Sequence, residues 1–271
     1  MTRIGILYRP YVERAQVLAE SIQSHLTRDG MTAWLGSAWD DEDAARRLDG
    51  TDLVVGIGGD GTLLHCARVT AGAGIPVLGV KLGQLGFITE VGEDEVDAAL
   101  SRVLAGEGRI EERTMLQVTA GAERLFALND AVVRCTAVRL MDVTLDIDSE
   151  EVTTYRADGV IVATATGSTG YSMAAGGPVL LPESTDMVVQ PISSHVGLRH
   201  ALVLPKGKTA GLRVDGRDGV VLSLDGQIDR PLRSGERVEV TTSPHRARFI
   251  RLRPRTYFYR SLHEKLGGSH T

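Results

Sequence analysis

LVVGIGGDGT, the stretch from Leu53 to Thr62, joins an aliphatic run to a cluster of glycines. The run Leu53–Ile57 has the length and composition of a strand that is buried on both faces of a parallel sheet. The glycines that follow, Gly58, Gly59 and Gly61, allow a tight turn whose backbone N–H groups can approach a ligand closely. Apolar residues at helical spacing then predict a helix that begins just after Thr62. A strand, a glycine turn and a helix N-terminus in this order are suited to bind phosphate.

Asp60 is the unusual residue of this turn, because its carboxylate stands where phosphate groups would lie. A loop that only binds phosphate would avoid this repulsion, so Asp60 indicates chemistry as well as binding. The structural alternative is that Asp60 caps the helix that follows. The stretch also fits the G-x-G-x-x-G dinucleotide pattern, but no acidic residue lies between Pro76 and Gly86, where a Rossmann fold would hold the ribose. This disfavours an oxidoreductase.

The composition is that of an ordinary soluble globular protein. The chain has 271 residues, 42% hydrophobic and 24% charged, with a formal net charge of −5, which allows one large domain or two smaller ones. Mild acidity argues against binding of nucleic acid or of an anionic membrane, and the apolar patterns lead us to expect neither a membrane span nor a signal peptide. The two cysteines, Cys66 and Cys135, suit neither a disulfide framework nor a zinc site. We therefore expect free thiols and a cytoplasmic protein.

Strand and helix patterns alternate in the first part of the chain. The predicted strands are Arg3–Tyr8, Met31–Leu35, Leu53–Ile57 and Pro76–Val80, and the predicted helices are Tyr11–Arg28, one after Thr62, and Asp94–Leu104. The acidic segment Asp40–Asp49 is expected to be exposed. This alternation predicts an α/β nucleotide-binding domain over residues 1–110, with a Rossmann-like parallel sheet and helices on its faces.

Short alternating segments replace the helices after about Gly108. The predicted strands are Leu116–Thr119, Leu125–Leu128, Val138–Ile147, Val160–Thr164, Val220–Leu224 and Val238–Thr241, and turn signals such as Asp225-Gly226 separate them. We predict an all-β sandwich over residues 111–254, to which the resemblance described below assigns NAD binding, and a helix, Tyr257–Leu266, that returns with residues 255–271 to the first domain. A basic run near the end is typical of a solvated strand face, or of a surface for phosphates or a partner subunit: Arg246, Arg248, Arg251, Arg253 and Arg255.

Two further stretches carry chemistry. The segment Thr164–Ser172 reads TATGSTGYS and follows Asp158-Gly159. Its hydroxyls can hydrogen-bond phosphate, ribose or a base edge, and Tyr171 adds an aromatic face, although a plain turn has the same composition. Asn129-Asp130 ends the apolar run Leu125–Leu128, and is either an ordinary turn or a pair that grips a ribose diol.

These three signals together resemble the NAD kinases, which phosphorylate the adenosine-ribose 2′-hydroxyl of NAD to make NADP. Members of that family carry GGDGT, an Asn-Glu or Asn-Asp pair, and Asp-Gly followed by TPTGSTAYS. The matching residues here are Gly58–Thr62, Asn129-Asp130, Asp158-Gly159 and Thr164–Ser172. Ala165 replaces the usual proline and Gly170 the usual alanine, and both changes reduce rigidity. The resemblance extends from Ile4 to the tail and implies the two-domain fold predicted above.

The resemblance also implies roles. Asp60 would orient or deprotonate the 2′-hydroxyl for attack on the γ-phosphate of ATP, with Mg²⁺ held mainly by the ATP phosphates. The residues expected to bind NAD or ATP are Gly58, Gly59, Gly61, Thr62, Phe87, Asn129, Asp130, Arg156, Asp158, Thr166, Thr169, Gly170, Tyr171 and Ser172. Among them, Asn129 and Asp130 would hold ribose hydroxyls, Asp158 and Arg156 the nicotinamide end, Thr169 and Tyr171 the adenine side, and Phe87 would cover the pocket.

Two other functions share part of the pattern. A diacylglycerol-type lipid kinase also carries GGDGT, but this chain lacks the basic amphipathic segment of a membrane-surface enzyme. A non-catalytic NAD(H) sensor would gain by losing the charge of Asp60, which this chain retains. Family members are commonly homodimers or homotetramers, so we expect a homo-oligomer.

Overall fold

A computed structural model describes residues 1–83, 86–136, 140–215 and 219–266 of the chain. The chain forms two compact units. The first consists of Met1–Glu112 together with the residues from Ala247 on, and the second consists of Arg113–Arg246. The domain boundaries that we place at residues 110 and 255 from the sequence remain a prediction. Within the described ranges, no helix is long and apolar enough to cross a membrane.

A parallel sheet forms the centre of the first unit, as predicted. Its strands are β1 (Arg3–Tyr8), β2 (Thr32–Ser37), β3 (Leu53–Gly58), β4 (Val77–Lys81) and the short β5 (Val91–Gly92), in the order β2-β1-β3-β4-β5. Its helices are α1 (Glu13–Arg28), α2 (Asp41–Arg47), α3 (Asp60–Thr70) and α4 (Val96–Leu104). All residues of β3 are buried, because helices cover both faces of a parallel sheet.

Several details of this unit differ from prediction. The first helix begins at Glu13 instead of Tyr11, because Tyr11 has a left-handed backbone with φ of 60°. The third helix begins at Asp60, so the last residues of the glycine turn already belong to it. The acidic segment after Asp40 contains helix α2, which Asp40 caps by accepting a hydrogen bond from the N–H of Asp43 at 2.9 Å.

The second unit is built from antiparallel sheets around one apolar core, which confirms the predicted sandwich. Its strands are β6 (Arg109–Ala120), which starts in the first unit, β7 (Glu123–Ala127), β8 (Asp130–Cys135), β9 (Met141–Ile147), β10 (Glu150–Ala157), β11 (Gly159–Ala163), β12 (Met187–Ile192), β13 (Leu202–Leu204), β14 (Ala210–Asp215), β15 (Val220–Leu224) and β16 (Ile228–Leu232). One sheet has the order β13-β12-β11-β8-β15-β16. A short helix, α5 (Tyr171–Ala174), follows β11.

Several strands of this unit escape the sequence patterns. Strand β10 starts with two glutamates, and β12 contains Pro191, which argues against a central strand although it pairs there with Val160. The predicted strand Val138–Ile147 begins at Met141 in the structure, and Val138 lies outside the described residues. The predicted Val238–Thr241 is only part of a longer strand, β17 (Arg237–Arg251).

The C-terminal segment belongs to the first unit, as predicted. Phe249 of β17 pairs in parallel with Val77 of β4, and helix α6 (Tyr257–Leu266) follows. The ring of Phe258 lies 6.4 Å from the ring of Phe87, centroid to centroid. Leu262 is half-buried, whereas the side chain of Leu266 is outside the described residues.

We expect Phe258→Ala to lower the free energy of unfolding by roughly 1–3 kcal/mol, less than for a fully buried phenylalanine because the ring is only half-buried. Urea denaturation measures this change. The control is His263→Ala on the exposed face of the same helix, for which a change within about 0.5 kcal/mol is expected. Equal stability of the two variants would rule out docking of α6 through Phe258.

Candidate functional site

The glycine turn connects β3 to α3 and leaves no room for a side chain at Gly58. Gly59 occupies the N-cap position of α3, and its N–H donates to Oγ1 of Thr62 at 3.3 Å. A Cβ added to Gly58 would lie 2.2 Å from the same oxygen. The turn therefore brings the backbone against the first turn of the helix, which leaves the N-terminal N–H groups of α3 pointing toward the carboxyl edge of the sheet.

The carboxylate of Asp60 is held by the backbone of another loop. Its Oδ2 accepts from the N–H of Phe87 at 2.9 Å, and its Oδ1 accepts from those of Ile88 and Thr89 at 3.4 and 3.3 Å. A Cβ added to Gly86 would lie 1.8 Å from Oδ1, so glycine at that position makes the contact possible. The hypothesis that Asp60 caps its own helix is therefore wrong. A carboxylate has about four acceptor sites, and these three bonds leave one of them, on Oδ2.

Two lysines that the sequence analysis missed lie beside this carboxylate. A Cβ added to Gly59 would lie 2.9 Å from Nζ of Lys81, and Nζ of Lys265 lies 4.1 Å from the centroid of the Phe87 ring. Burial lowers the pKa of Lys265, and the positive charge of Lys81 lowers it further. The negative charge of Asp60 acts in the opposite direction and raises this pKa. Lys81 is the last residue of β4, the parallel neighbour of β3, so strand order could have identified it. For Lys265 the sequence offers no signal.

In the second unit, a cavity of about 360 Å³ brings Asn129, Asp130 and Tyr171 together. Its remaining lining residues are Val132, Arg134, Ser223, Asp225, Gly226 and Asp229. Three of the nine are aspartates, and Arg134 pairs with Asp229 at 3.5 Å. Such a cavity favours ligand groups that donate hydrogen bonds over anionic ones.

Asp225 shapes the Asn129-Asp130 turn. Its carboxylate accepts from the N–H groups of Leu128, Asn129 and Asp130 at 2.9, 2.7 and 3.2 Å. On the other side of the turn, Gly167 packs so closely that an added Cβ would lie 2.1 Å from the carbonyl oxygen of Asn129. The sequence analysis interpreted Asp225 only as a turn residue, because this partner lies more than 90 positions away along the chain.

The side chains of this turn are poised for a ligand. Burial, and then the charge of Asp225, raises the pKa of Asp130 to about 7. The Oδ1 atom of Asn129 is buried and accepts no hydrogen bond from any described residue. Since a buried acceptor without a donor costs free energy, a ligand hydroxyl or a water molecule would stabilise it.

The hydroxyls of the second glycine cluster mainly hold the cluster itself. Oγ1 of Thr166 accepts from Nη1 of Arg113 at 3.2 Å, and Oγ1 of Thr169 donates to the carbonyl of Thr166 at 3.0 Å. Ser172 is fully buried, and its Oγ has no partner among the described residues. A Cβ at Gly170 would lie 3.3 Å from the nearest carbonyl oxygen, so the alanine of the related motif would need only a small shift.

Arg156 and Asp158 do not line the cavity. Both side chains are exposed around the connection between β10 and β11, where the N–H of Asp158 donates to the carbonyl of Ile192 at 3.0 Å. Phe87 and the glycine turn belong to the first unit, whereas Asn129, Asp130 and the second cluster belong to the other. The predicted residues are therefore divided between the two units, and of those in the second unit only Asn129, Asp130 and Tyr171 line the cavity.

Comparison with known proteins gives a consistent result. The family of the ATP-NAD kinase N-terminal domain matches residues 4–108, and that of the ATP-NAD kinase C-terminal domain matches residues 128–252. The NAD kinase of Dehalococcoides mccartyi is 42% identical over 98% of this chain and 96% of its own length. That of Chloroflexus aurantiacus is 36% identical over 98% of this chain and 99% of its own length.

Solved structures share the fold. An NAD kinase from Archaeoglobus fulgidus in complex with ATP has a TM-score of 0.80 at 25% identity, and the match covers 98% of this chain and 99% of that one. Yeast NADH kinase complexed with NADH has a TM-score of 0.89 at 22% identity, covering 100% of this chain and 89% of that one. At this identity the yeast enzyme shows the fold alone.

The raised pKa of Asp130 predicts a pH-dependent stability. The ordinary value is 3.8 and the folded value about 7, so the folded chain holds this proton more tightly. The resulting stabilisation is complete below about pH 4 and is lost as the pH rises through 7. Asp130→Asn should therefore gain stability relative to the unchanged chain between pH 5 and 7, by at most about 1.4 kcal/mol per pH unit.

Urea denaturation of both proteins at pH 5, 6, 7 and 8 measures this difference. Asp229→Asn, at an exposed residue of the same cavity, serves as the control and should show no such trend. A constant difference between Asp130→Asn and the unchanged chain over this range would contradict the raised pKa.

Proposed function

Since this chain belongs to the NAD kinase family, whose members transfer a phosphoryl group from ATP to NAD, we propose that the carboxylate of Asp60 acts on the 2′-hydroxyl of NAD in the transfer step. The observation that carries this proposal is the hydrogen bonding of Asp60. Three backbone N–H groups fix the direction of the carboxylate and leave one acceptor site on Oδ2. One acceptor site suits one hydroxyl group.

The reaction needs little covalent chemistry from the protein, because phosphoryl transfer depends on positioning and on stabilising charge. Oδ2 of Asp60 accepts the hydrogen bond of the attacking hydroxyl, aligns the oxygen with the γ-phosphorus, and takes the proton as the new P–O bond forms. The bond between the γ-phosphorus and the leaving oxygen of ADP breaks in the same step. The products are ADP and NADP.

The triphosphate of ATP binds at the N-terminus of α3. The dipole of α3 places partial positive charge at this end of the helix and so favours negative charge there. Lys81 and Lys265 supply two positive charges next to Asp60, which compensate the repulsion between its carboxylate and the phosphates. This explains how a carboxylate is tolerated in a phosphate loop.

The ribose of NAD binds in the acidic cavity of the second unit. Its hydroxyls donate to the carboxylates of Asp130 and Asp225, while the buried Oδ1 of Asn129 accepts one more hydrogen bond. Tyr171, whose side chain is 46% exposed, offers its ring to the adenine. Carboxyl oxygens of this cavity accept hydrogen bonds from hydroxyl groups, so the ribose is the part of NAD that fits it best.

Mg²⁺ supplies the charge neutralisation that the transferring phosphate requires. The described residues contain no group of three or more His, Cys, Asp or Glu side chains arranged to hold a metal ion. In kinases Mg²⁺ is usually bound through substrate phosphates and one or two carboxylates. We accordingly expect the ion to be bound with ATP, and the working enzyme to be a cytoplasmic homo-oligomer.

The two alternative functions lose their support. A lipid kinase shares only the GGDGT motif, whereas the similarity to NAD kinases extends over 98% of the chain. A non-catalytic sensor has no use for a carboxylate aimed by three N–H groups.

Asp60→Asn tests the proposed role. An amide can accept hydrogen bonds only at its oxygen, so the variant cannot serve the backbone N–H groups and a substrate hydroxyl as the carboxylate does. We expect kcat for NADP formation to fall by roughly 10²–10⁴-fold, the usual loss on removing a general base. The Kd for NAD, measured by calorimetry, should change little, because Asn129 and Asp130 would still hold the ribose hydroxyls in the variant.

The control is Asp52→Asn, because Asp52 also accepts hydrogen bonds from two backbone N–H groups, at 2.6 and 3.1 Å, in the same unit. Its kcat should stay within about twofold of the unchanged enzyme. Near-normal turnover by Asp60→Asn would refute the role of Asp60 as acceptor of the hydroxyl proton.

A further inference from the structure

A solvated strand face was one expectation for the basic run, but Arg251 does not lie on such a face. It is 6% exposed on β17, and its guanidinium donates to three acceptors of the first unit. Nε donates to Oε1 of Glu111 at 2.9 Å, and Nη1 donates to Oε2 of Glu90 at 3.1 Å and to the carbonyl oxygen of Ile88 at 2.6 Å. Both glutamates are buried as well. The expectation of a solvated face is met only by others of the run, such as Arg248, which pairs with Glu112 at the surface.

The contact with Ile88 connects Arg251 to Asp60. The carbonyl of Ile88 and the N–H of Thr89 belong to the same peptide group, and that N–H donates to Oδ1 of Asp60 at 3.3 Å. One planar peptide group therefore accepts from the guanidinium on one side and donates to the carboxylate on the other. Each charge polarises the group in the direction that strengthens the opposite hydrogen bond.

Glu90 fixes the same loop from its other end. Its Oε1 accepts from the N–H groups of Leu252 and Arg253 at 2.8 and 2.7 Å, while its own N–H donates to the carbonyl of Gly79 at 2.9 Å. The loop that donates to Asp60 is thus attached to both β17 and β4.

We propose that Arg251 is a positioning residue for Asp60, and that it acts through the peptide group between Ile88 and Thr89. The inference rests on the proposed role of Asp60 in phosphoryl transfer. Arg251 touches no substrate in this account. It keeps the three N–H donors of the loop at the positions that aim the carboxylate, so its loss changes the rate of transfer more than the binding of NAD.

The guanidinium is needed for this arrangement. Its planar fork reaches Glu111, Glu90 and the carbonyl of Ile88 from one fixed position, whereas a lysine ammonium at the end of a flexible stem would not satisfy all three in the same geometry. Arg251→Lys retains the positive charge that the buried glutamates require. The substitution therefore separates positioning from charge balance.

The experiment compares Arg251→Lys with Arg248→Lys, a matched control on the same strand whose partner is at the surface. Steady-state kinetics give kcat and KM for NAD, and hydrogen exchange followed by NMR gives the exchange rates of the Phe87, Ile88 and Thr89 amides. For Arg251→Lys we expect kcat to fall roughly tenfold to a hundredfold, with KM for NAD within about threefold, because small misplacement of a reacting group costs this much. The three amides should exchange faster. The control should change neither quantity.

If Arg251→Lys does not fold, the same two measurements are made on Glu90→Gln, which keeps the size of the side chain. It should accelerate exchange of the same amides and lower kcat by a smaller factor. Unchanged exchange, or unchanged kcat with faster exchange, would overturn the inference. Failure of the underlying role of Asp60 shows separately, as normal turnover of Asp60→Asn, whereas failure of this inference shows as normal kcat of Arg251→Lys while Asp60→Asn is inactive.

Discussion

The carboxylate of Asp60, held by the N–H groups of residues 87–89, is the interaction on which the site of the first unit depends. A parallel sheet provides it, because the carboxyl ends of β3 and β4 meet at one edge and bring the glycine turn against the loop after β4. Gly86 is the second requirement, since no side chain fits between that loop and the carboxylate. The negative charge of Asp60 is tolerated near phosphates because the positive charges of Lys81 and Lys265 lie beside it.

The two units divide the chemistry of recognition by charge. The first unit offers helix N-terminal N–H groups and lysines, which suit the phosphates of ATP. The second offers three aspartates and the oxygen of Asn129, to which no described residue donates, and these suit ribose hydroxyls. In both units a carboxylate accepts hydrogen bonds from three consecutive backbone N–H groups, Asp60 in one and Asp225 in the other. This repeated device fixes a loop with a side chain that is distant in sequence.

The sequence predicts those parts of the fold and of the site that neighbouring residues determine. The burial of β3 and the glycine turn after it follow from composition and spacing over fewer than fifteen residues. The partners that complete the sites do not, because they come from far along the chain. Asp225, Lys265 and Arg251 act on residues more than 90 positions away, and nothing in their own neighbourhood distinguishes them from a turn residue, a surface lysine and a basic run.

The central claim is that phosphoryl transfer needs the carboxylate of Asp60 in the position set by the 86–89 loop. Gly86→Ala tests it most directly, because the new Cβ would lie 1.8 Å from Oδ1 and would displace the carboxylate without altering its charge. The measurement is kcat for NADP formation, beside Gly72→Ala, whose added Cβ meets no atom within 4 Å. The account predicts a loss of at least about a hundredfold in Gly86→Ala, with both variants folded and the control near normal. Normal turnover by a folded Gly86→Ala would contradict it.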